Sequence, residues 1–209
     1  MSVDHYERMV YSQIHDEGTY KCLDSNKDRN IQTALTKLIK KYKDSFTDTE
    51  YKCLISSNFK PSQFYGLPKI HKSKILAEET IKQNNEIINF KEPNDLKLRP
   101  IISGPECPTR NLSNIIDKKI KPLLVHVTSY IKNSIDFLNK CKRETSENAF
   151  LVTFDVCSLY TSIPHTLGIE DIKYFLEEHP ESIDSRFKSD FIIQDILFIL
   201  KNNTFTFNG

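Results

Sequence analysis

Asp155 is the residue of this 209-residue sequence best placed to do chemistry. It lies in Phe150-Leu-Val-Thr-Phe-Asp-Val156, an apolar, β-branched run whose composition predicts a buried strand. A carboxylate at the end of a buried strand loses hydration, and therefore requires hydrogen bonds or a metal ion as partner. The following Cys157-Ser-Leu-Tyr160 predicts a turn able to aim backbone N–H groups at an anion. In phosphoryl transfer an aspartate so placed bridges two Mg²⁺ ions, one at the attacking oxygen and one at the leaving group. One carboxylate cannot hold two hard cations, so that chemistry demands at least one more. Spacing alone favours a satisfied strand-end aspartate over a metal ligand.

The elements around Asp155 follow from local pattern. Ile31, Ala34, Leu35, Leu38, Ile39 and Tyr42 recur at helical spacing, with Lys37, Lys40, Lys41 and Lys43 opposite, predicting an amphipathic helix. Thr47 followed by Glu50 reads as a capping box opening a short helix through Ile55. Residues 1–29 lack a clear period and predict an arm or short helices. Residues 56–107, punctuated by Pro61, Pro68, Pro93, Pro100 and Pro105, predict extended and irregular chain, with Lys74–Lys91 as a loop or solvent-facing hairpin. A helical pattern runs from Pro108 through Leu112, Ile116 and Leu123 to Ile131, kinked at Pro122. Thr166–Glu178 and Ser189–Lys201 predict two further helices around Pro180. Thr204-Phe-Thr-Phe207 alternates like a strand and runs into Asn208-Gly209, a hairpin signal whose second strand does not follow. On this reading the apolar edge is unpaired, and the chain is a truncated piece of a longer protein.

Composition narrows the class. Hydrophobic residues make up 38% and charged residues 27%, ordinary for a globular chain. The five cysteines are scattered and form no Cys-x-x-Cys pair, so they suggest neither a zinc site nor a disulfide framework, and a reducing compartment fits. There is no secretory pattern and no membrane span; the expected location is intracellular, nuclear or cytoplasmic. Residues 60–121 carry 12 Lys and Arg against 7 Asp and Glu, whereas residues 150–209 carry 4 against 9. A basic segment ahead of an acidic one suits a protein that grips phosphates and holds cations, and equally suits two solvated faces of opposite sign.

Three segments, Phe64-Tyr-Gly-Leu-Pro-Lys-Ile-His-Lys72, Leu98-Arg-Pro-Ile-Ile-Ser-Gly104 and Thr153-Phe-Asp-Val-Cys-Ser-Leu-Tyr-Thr-Ser-Ile-Pro164, together resemble the reverse transcriptases of Penelope-like retroelements. The resemblance covers about residues 30–209. It implies an RNA-directed DNA polymerase working on an RNA template, a DNA primer and dNTPs, with Mg²⁺ as cofactor. It implies that Asp155 is the first catalytic metal ligand, with the Val156 carbonyl as accessory ligand. Tyr160 falls at the position of the aromatic steric gate, and Ser158 and Leu159 where backbone N–H groups meet the triphosphate. Arg99 matches the fingers arginine that pairs with the triphosphate; Lys69 and Lys72 match template or nucleotide contacts, while His71 has no assigned role. Read without the family, Arg99 is as readily half of a surface salt bridge, Lys69 and Lys72 solvated charges, Tyr160 a core aromatic, and Asn111 a local helix cap.

The implied fold is α/β, of the α+β kind: a helical lead-in at 1–55, a fingers-like region at 56–149, and at 150–209 an incomplete palm of a right-hand polymerase. The family's palm continues with a Tyr-x-Asp-Asp hairpin that supplies the remaining carboxylates, and no Asp-Asp pair occurs in this sequence. The expectation is a fragment inactive by itself, or, as the alternative, a non-catalytic nucleic-acid-binding or interaction relic.

Overall fold

A computed structural model describes residues 1–16, 18–23, 27–55, 59–84, 87, 92–141, 144 and 146–208. The helices are α1 (Val3–Ile14), α2 (Lys27–Lys41), α3 (Asp48–Ile55), α4 (Lys74–Gln83), α5 (Arg110–Ile120), α6 (Ser134–Lys140), α7 (Leu159–Ser162), α8 (His165–Glu178) and α9 (Ser189–Lys201); the strands are β1 (Ser62–Pro68), β2 (Leu98–Ser103) and β3 (Phe205–Thr206). Mixed helices with one small sheet make the class α+β. The chain divides into two compact units, Met1–Lys37 with Ser56–Arg110 and Asn203–Gly209, and Leu38–Ile55 with Asn111–Asn202.

In the first unit the sheet runs β2-β1-β3. β1 and β2 pair antiparallel, from Gln63↔Ser103 to Pro68↔Leu98, and the Lys69 N–H extends the ladder with a 2.8 Å bond to the Lys97 carbonyl. β2 is an edge strand, which is where Pro100, lacking an N–H, is tolerated. Alternation along β1 buries Ser62, Phe64 and Gly66 and exposes Gln63, Tyr65 and Leu67. Phe64 and Leu98 join Val10 of α1 in the core, with Tyr6, Met9, Ile14, Tyr20, Ile102, Phe205 and Phe207 packed around them. The Gly66 N–H donates to the Tyr6 hydroxyl at 2.8 Å, tying α1 to the strand.

Gly66 leaves no room for a side chain: a Cβ there would lie 2.6 Å from Leu98 Cδ1 and 3.0 Å from Leu98 Cβ. The Cβ, unlike the methyl, cannot swing away without moving β2. Gly66→Ala is therefore expected to cost about 1–3 kcal/mol, the usual range for overpacking, read as a lowered urea midpoint of the full chain. An unchanged midpoint would show that β2 yields freely.

The second unit is helical. Ile39, Leu54, Leu112, Ile116, Leu176, Phe191 and Ile192 are all buried. Phe46, Phe187 and Phe191 stack by edge and tilt at centroid distances of 5.4–5.9 Å, and Tyr42 lies 4.6 Å from Phe191. The capping box forms as expected: Thr47 N–H reaches Glu50 Oε2 at 2.8 Å, and Glu50 N–H reaches Thr47 Oγ1 at 3.2 Å. Lys119 and Arg186 clamp Asp184 at 3.0 and 2.7 Å. The Arg186 and Lys119 hydrogen bonds hold the Asp184 carboxyl well below the usual carboxylate range.

Several expectations change. Residues 150–156 form no strand; Phe150, Leu151 and Phe154 are 92%, 96% and 94% exposed. A strand needs a ladder to satisfy its backbone groups, and among the described residues nothing pairs with this run. Lys74–Gln83 is a helix, not a loop or hairpin. Ser73 Oγ caps it, and Asp95, 21 residues downstream, accepts from Lys74 N–H at 2.7 Å and from the Ser73 hydroxyl at 2.6 Å. Those bonds, Ser73's first, hold the Asp95 carboxyl below its ordinary pKa. The remainder of that stretch, Asn85–Lys91, lies almost wholly outside the described residues. The helix from Arg110 ends at Ile120 and tightens into a 3₁₀ turn, Lys121–His126, that contains Pro122, so no α-helix reaches Ile131. Finally, the apolar end is not an unpaired edge: Phe205 and Thr206 pair parallel with Ser62 and Gln63 of β1.

Candidate nucleic-acid interface

The sequence motifs around residues 64–72 and 98–104 become neighbours through the β1–β2 ladder. In an antiparallel pair, residues directly opposite share a face. Leu67 sits opposite Arg99, and Tyr65 opposite Ile101. This is the face turned from the core: Tyr65 is 40% and Leu67 46% exposed, and the Arg99 side chain is exposed beside them. Gln63 extends the face towards β3, where its Nε2 donates to Thr206 Oγ1 at 2.9 Å.

At the end of the ladder the chain turns through a 3₁₀ segment, Ile70–Lys72, with Lys69 at its start. Lys69 is half-buried; His71, Lys72 and Lys97 are exposed. Among the described residues neither Arg99, Lys69 nor Lys72 has a side-chain ion pair. An exposed aromatic ring, a flat apolar surface and a row of uncommitted cations can stack a base and hold phosphates. A guanidinium adds bidentate geometry that a lysine lacks.

Asp155, Val156, Ser158, Leu159 and Tyr160 belong to the second unit. All five are exposed, Tyr160 at 97%, so Tyr160 is no core aromatic. The premise of a buried strand-end carboxylate fails for Asp155, which lies in irregular chain just ahead of a turn. Ser158 takes the left-handed conformation (φ 52°), and its carbonyl accepts from Thr161 N–H and Ser162 N–H at 3.0 and 3.1 Å. That bend opens the one-turn helix α7 and places the Ser158 and Leu159 backbone at its start.

Magnesium takes about six oxygen ligands in a near-octahedral set. Asp155 and the Val156 carbonyl offer two. Among the described residues, the group of metal-type side chains whose ligand atoms come together is His126, His179 and Glu181, and Asp155 is not in it. Among the described residues, Asp155 is not part of a converging three-ligand set of the kind magnesium needs.

Asn111 is not a cap of its own helix. Its Nδ2 donates to the Cys53 carbonyl in the last turn of α3 at 2.9 Å. None of the five cysteines is in a disulfide. Among the described residues no helix is long and apolar enough to cross a membrane. The two histidines, 53 positions apart, had no sequence signal; Asp195, a lone acid in the apolar run of α9, is fully buried with neither carboxylate oxygen hydrogen-bonded among the described residues.

Comparison with known protein families, with curated proteins and with solved structures finds no match to this chain.

Proposed function

We propose that this chain is the fingers and partial palm of an RNA-directed DNA polymerase of the Penelope-like retroelement kind, acting inside the cell, in the nucleus or cytoplasm. On this reading the parent binds an RNA template, a DNA primer and a dNTP, and Asp155 supplies the first of its magnesium carboxylates. Arg99, Lys69 and Lys72 engage phosphates of the nucleotide or template. The observation that carries the reading is the ladder that sets Arg99 opposite Leu67 and runs on through Lys69 and Lys97. Two of the three motif segments thereby converge on one open, cationic, aromatic face.

The polymerase fragment and a non-catalytic binding module share this face, and the exposed, unsupported Asp155 favours binding without chemistry for the isolated chain. The chain is expected to bind an RNA–DNA primer–template with affinity that falls steeply with salt. Each of Arg99→Ala, Lys69→Ala and Lys72→Ala should reduce the log–log salt slope by roughly 1, the signature of a lost phosphate contact. Salt-independent binding, or a triple variant that binds like the parent chain, would sink the interface. Primer extension with Mg²⁺ and dNTPs should be undetectable, because one carboxylate cannot position two metals.

A further inference from the structure

We propose that His126, His179 and Glu181 form a binding site for a divalent transition-metal ion of the zinc type, separate from the chemistry assigned to Asp155. His126 ends the 3₁₀ turn Lys121–His126, and His179 ends α8, just ahead of a second 3₁₀ turn, Pro180–Ser182. The two imidazoles lie parallel with centroids 3.6 Å apart. Glu181 Oε1 stands 3.7 Å from His179 Nδ1. One donor atom from each of the three residues lies within 4.8 Å of the other two.

Ring orientation is held from outside. His126 Nε2 is 2.8 Å from Ser182 Oγ, and in the tautomer whose Nε2–H donates to that hydroxyl the Nδ1 lone pair is left for a metal. Two imidazoles and one carboxylate are the donor set of open zinc sites, in which a water fills the fourth position. Imidazole nitrogen selects zinc, copper, nickel or cobalt over magnesium and calcium, so the site does not compete for the polymerase cofactor.

Bond lengths of about 2.0–2.1 Å put donors of a tetrahedral ion roughly 3.3 Å apart, so the His179–Glu181 pair must close by about 0.4 Å and no pair by more than about 1.5 Å. The parallel rings must also splay, because an ion between them would sit out of both ring planes. Both adjustments are side-chain rotations. They are open to Glu181, whose side chain is 67% exposed, and to His179 at a helix end.

Titration of the 209-residue chain with Co²⁺, followed by its visible ligand-field absorption, and with Zn²⁺ by calorimetry, tests the site. One equivalent should bind, with no intense near-ultraviolet thiolate band, and excess Mg²⁺ should not displace it. Glu181→Gln, on an exposed side chain that leaves the fold intact, should weaken binding at least about 10-fold, His179→Gln should abolish it, and Ser182→Ala should weaken it roughly 10-fold. Absence of saturable binding, a thiolate band, or binding that Glu181→Gln and His179→Gln leave unchanged overturns the proposal. None of these readouts depends on nucleic acid, so their failure would leave the polymerase reading standing.

Discussion

Raising the pH from about 4 to about 8 should progressively destabilise the helical unit, and Asp195→Asn should remove that dependence. Asp195 of α9 is fully buried, and neither carboxylate oxygen has a hydrogen-bond partner among the described residues. Burial pushes its pKa up to about 8 from an ordinary value of 3.8. Folded chain therefore keeps the proton through a range in which unfolded chain has released it. Stability is full below the unfolded value and declines by about 1.4 kcal/mol per pH unit above it, levelling off past the folded value. The whole loss has an upper bound of ~6 kcal/mol, large against the ~5–15 kcal/mol that holds a domain folded.

The measurement is a set of urea unfolding curves at pH 5, 6, 7 and 8, all taken on the full chain. The parent midpoint should fall steadily, while Asp195→Asn stays nearly level and becomes the more stable form at pH 8. Asp195→Leu, which removes the buried polar group altogether, should gain further. Parallel curves for parent and Asp195→Asn would mean that Asp195 already has a partner in solution.

Phe191→Ala is expected to cost about 3–5 kcal/mol, the range for emptying an aromatic site in a packed core. Phe191 is fully buried and stands among Tyr42, Phe46 and Phe187, so the cavity would open where three rings meet. Two of the three are held in place. The Tyr42 hydroxyl is tied to Gln194 Oε1 at 2.9 Å, and Phe187 lies under the Lys119 ammonium at 4.6 Å. Phe191→Leu should cost markedly less, because it keeps most of the volume.

The two predictions are linked. Phe191 and Asp195 are one helical turn apart on α9 and project from the same side. A cavity at 191 admits water towards the carboxylate, lowers its pKa and flattens the pH dependence. In Phe191→Ala the urea midpoint should thus be lower at pH 5 yet fall less between pH 5 and pH 8 than in the parent. An unaltered slope would separate the cavity from the acid.

Local pattern carried much of this protein. Helices α2, α3, α8 and α9 were legible because an α-helix closes its hydrogen bonds within four residues, so periodicity and a cap such as Thr47–Glu50 contain the information. The cationic candidates Arg99, Lys69 and Lys72 were likewise legible as residue types in motif segments. Helix α4 was not, because part of its N-terminal support comes from Asp95, beyond any local window.

Strands depend on partners that sequence does not name. Val152 and Phe154 have every local mark of a buried strand and are exposed, whereas Phe205 finds a parallel ladder beside Ser62 across more than 140 residues. The same dependence governs the sites. Sequence alone determined which residues could bind phosphate or metal; tertiary structure decided which of them meet. Arg99 reached Leu67 through a backbone ladder, and His126 met His179 where two helical segments end. Asp155, the residue whose type and context promised most, is not in the group of metal-type side chains that comes together among the described residues. A metal site is made by groups converging in space, and among the described residues that convergence is found at His126, His179 and Glu181.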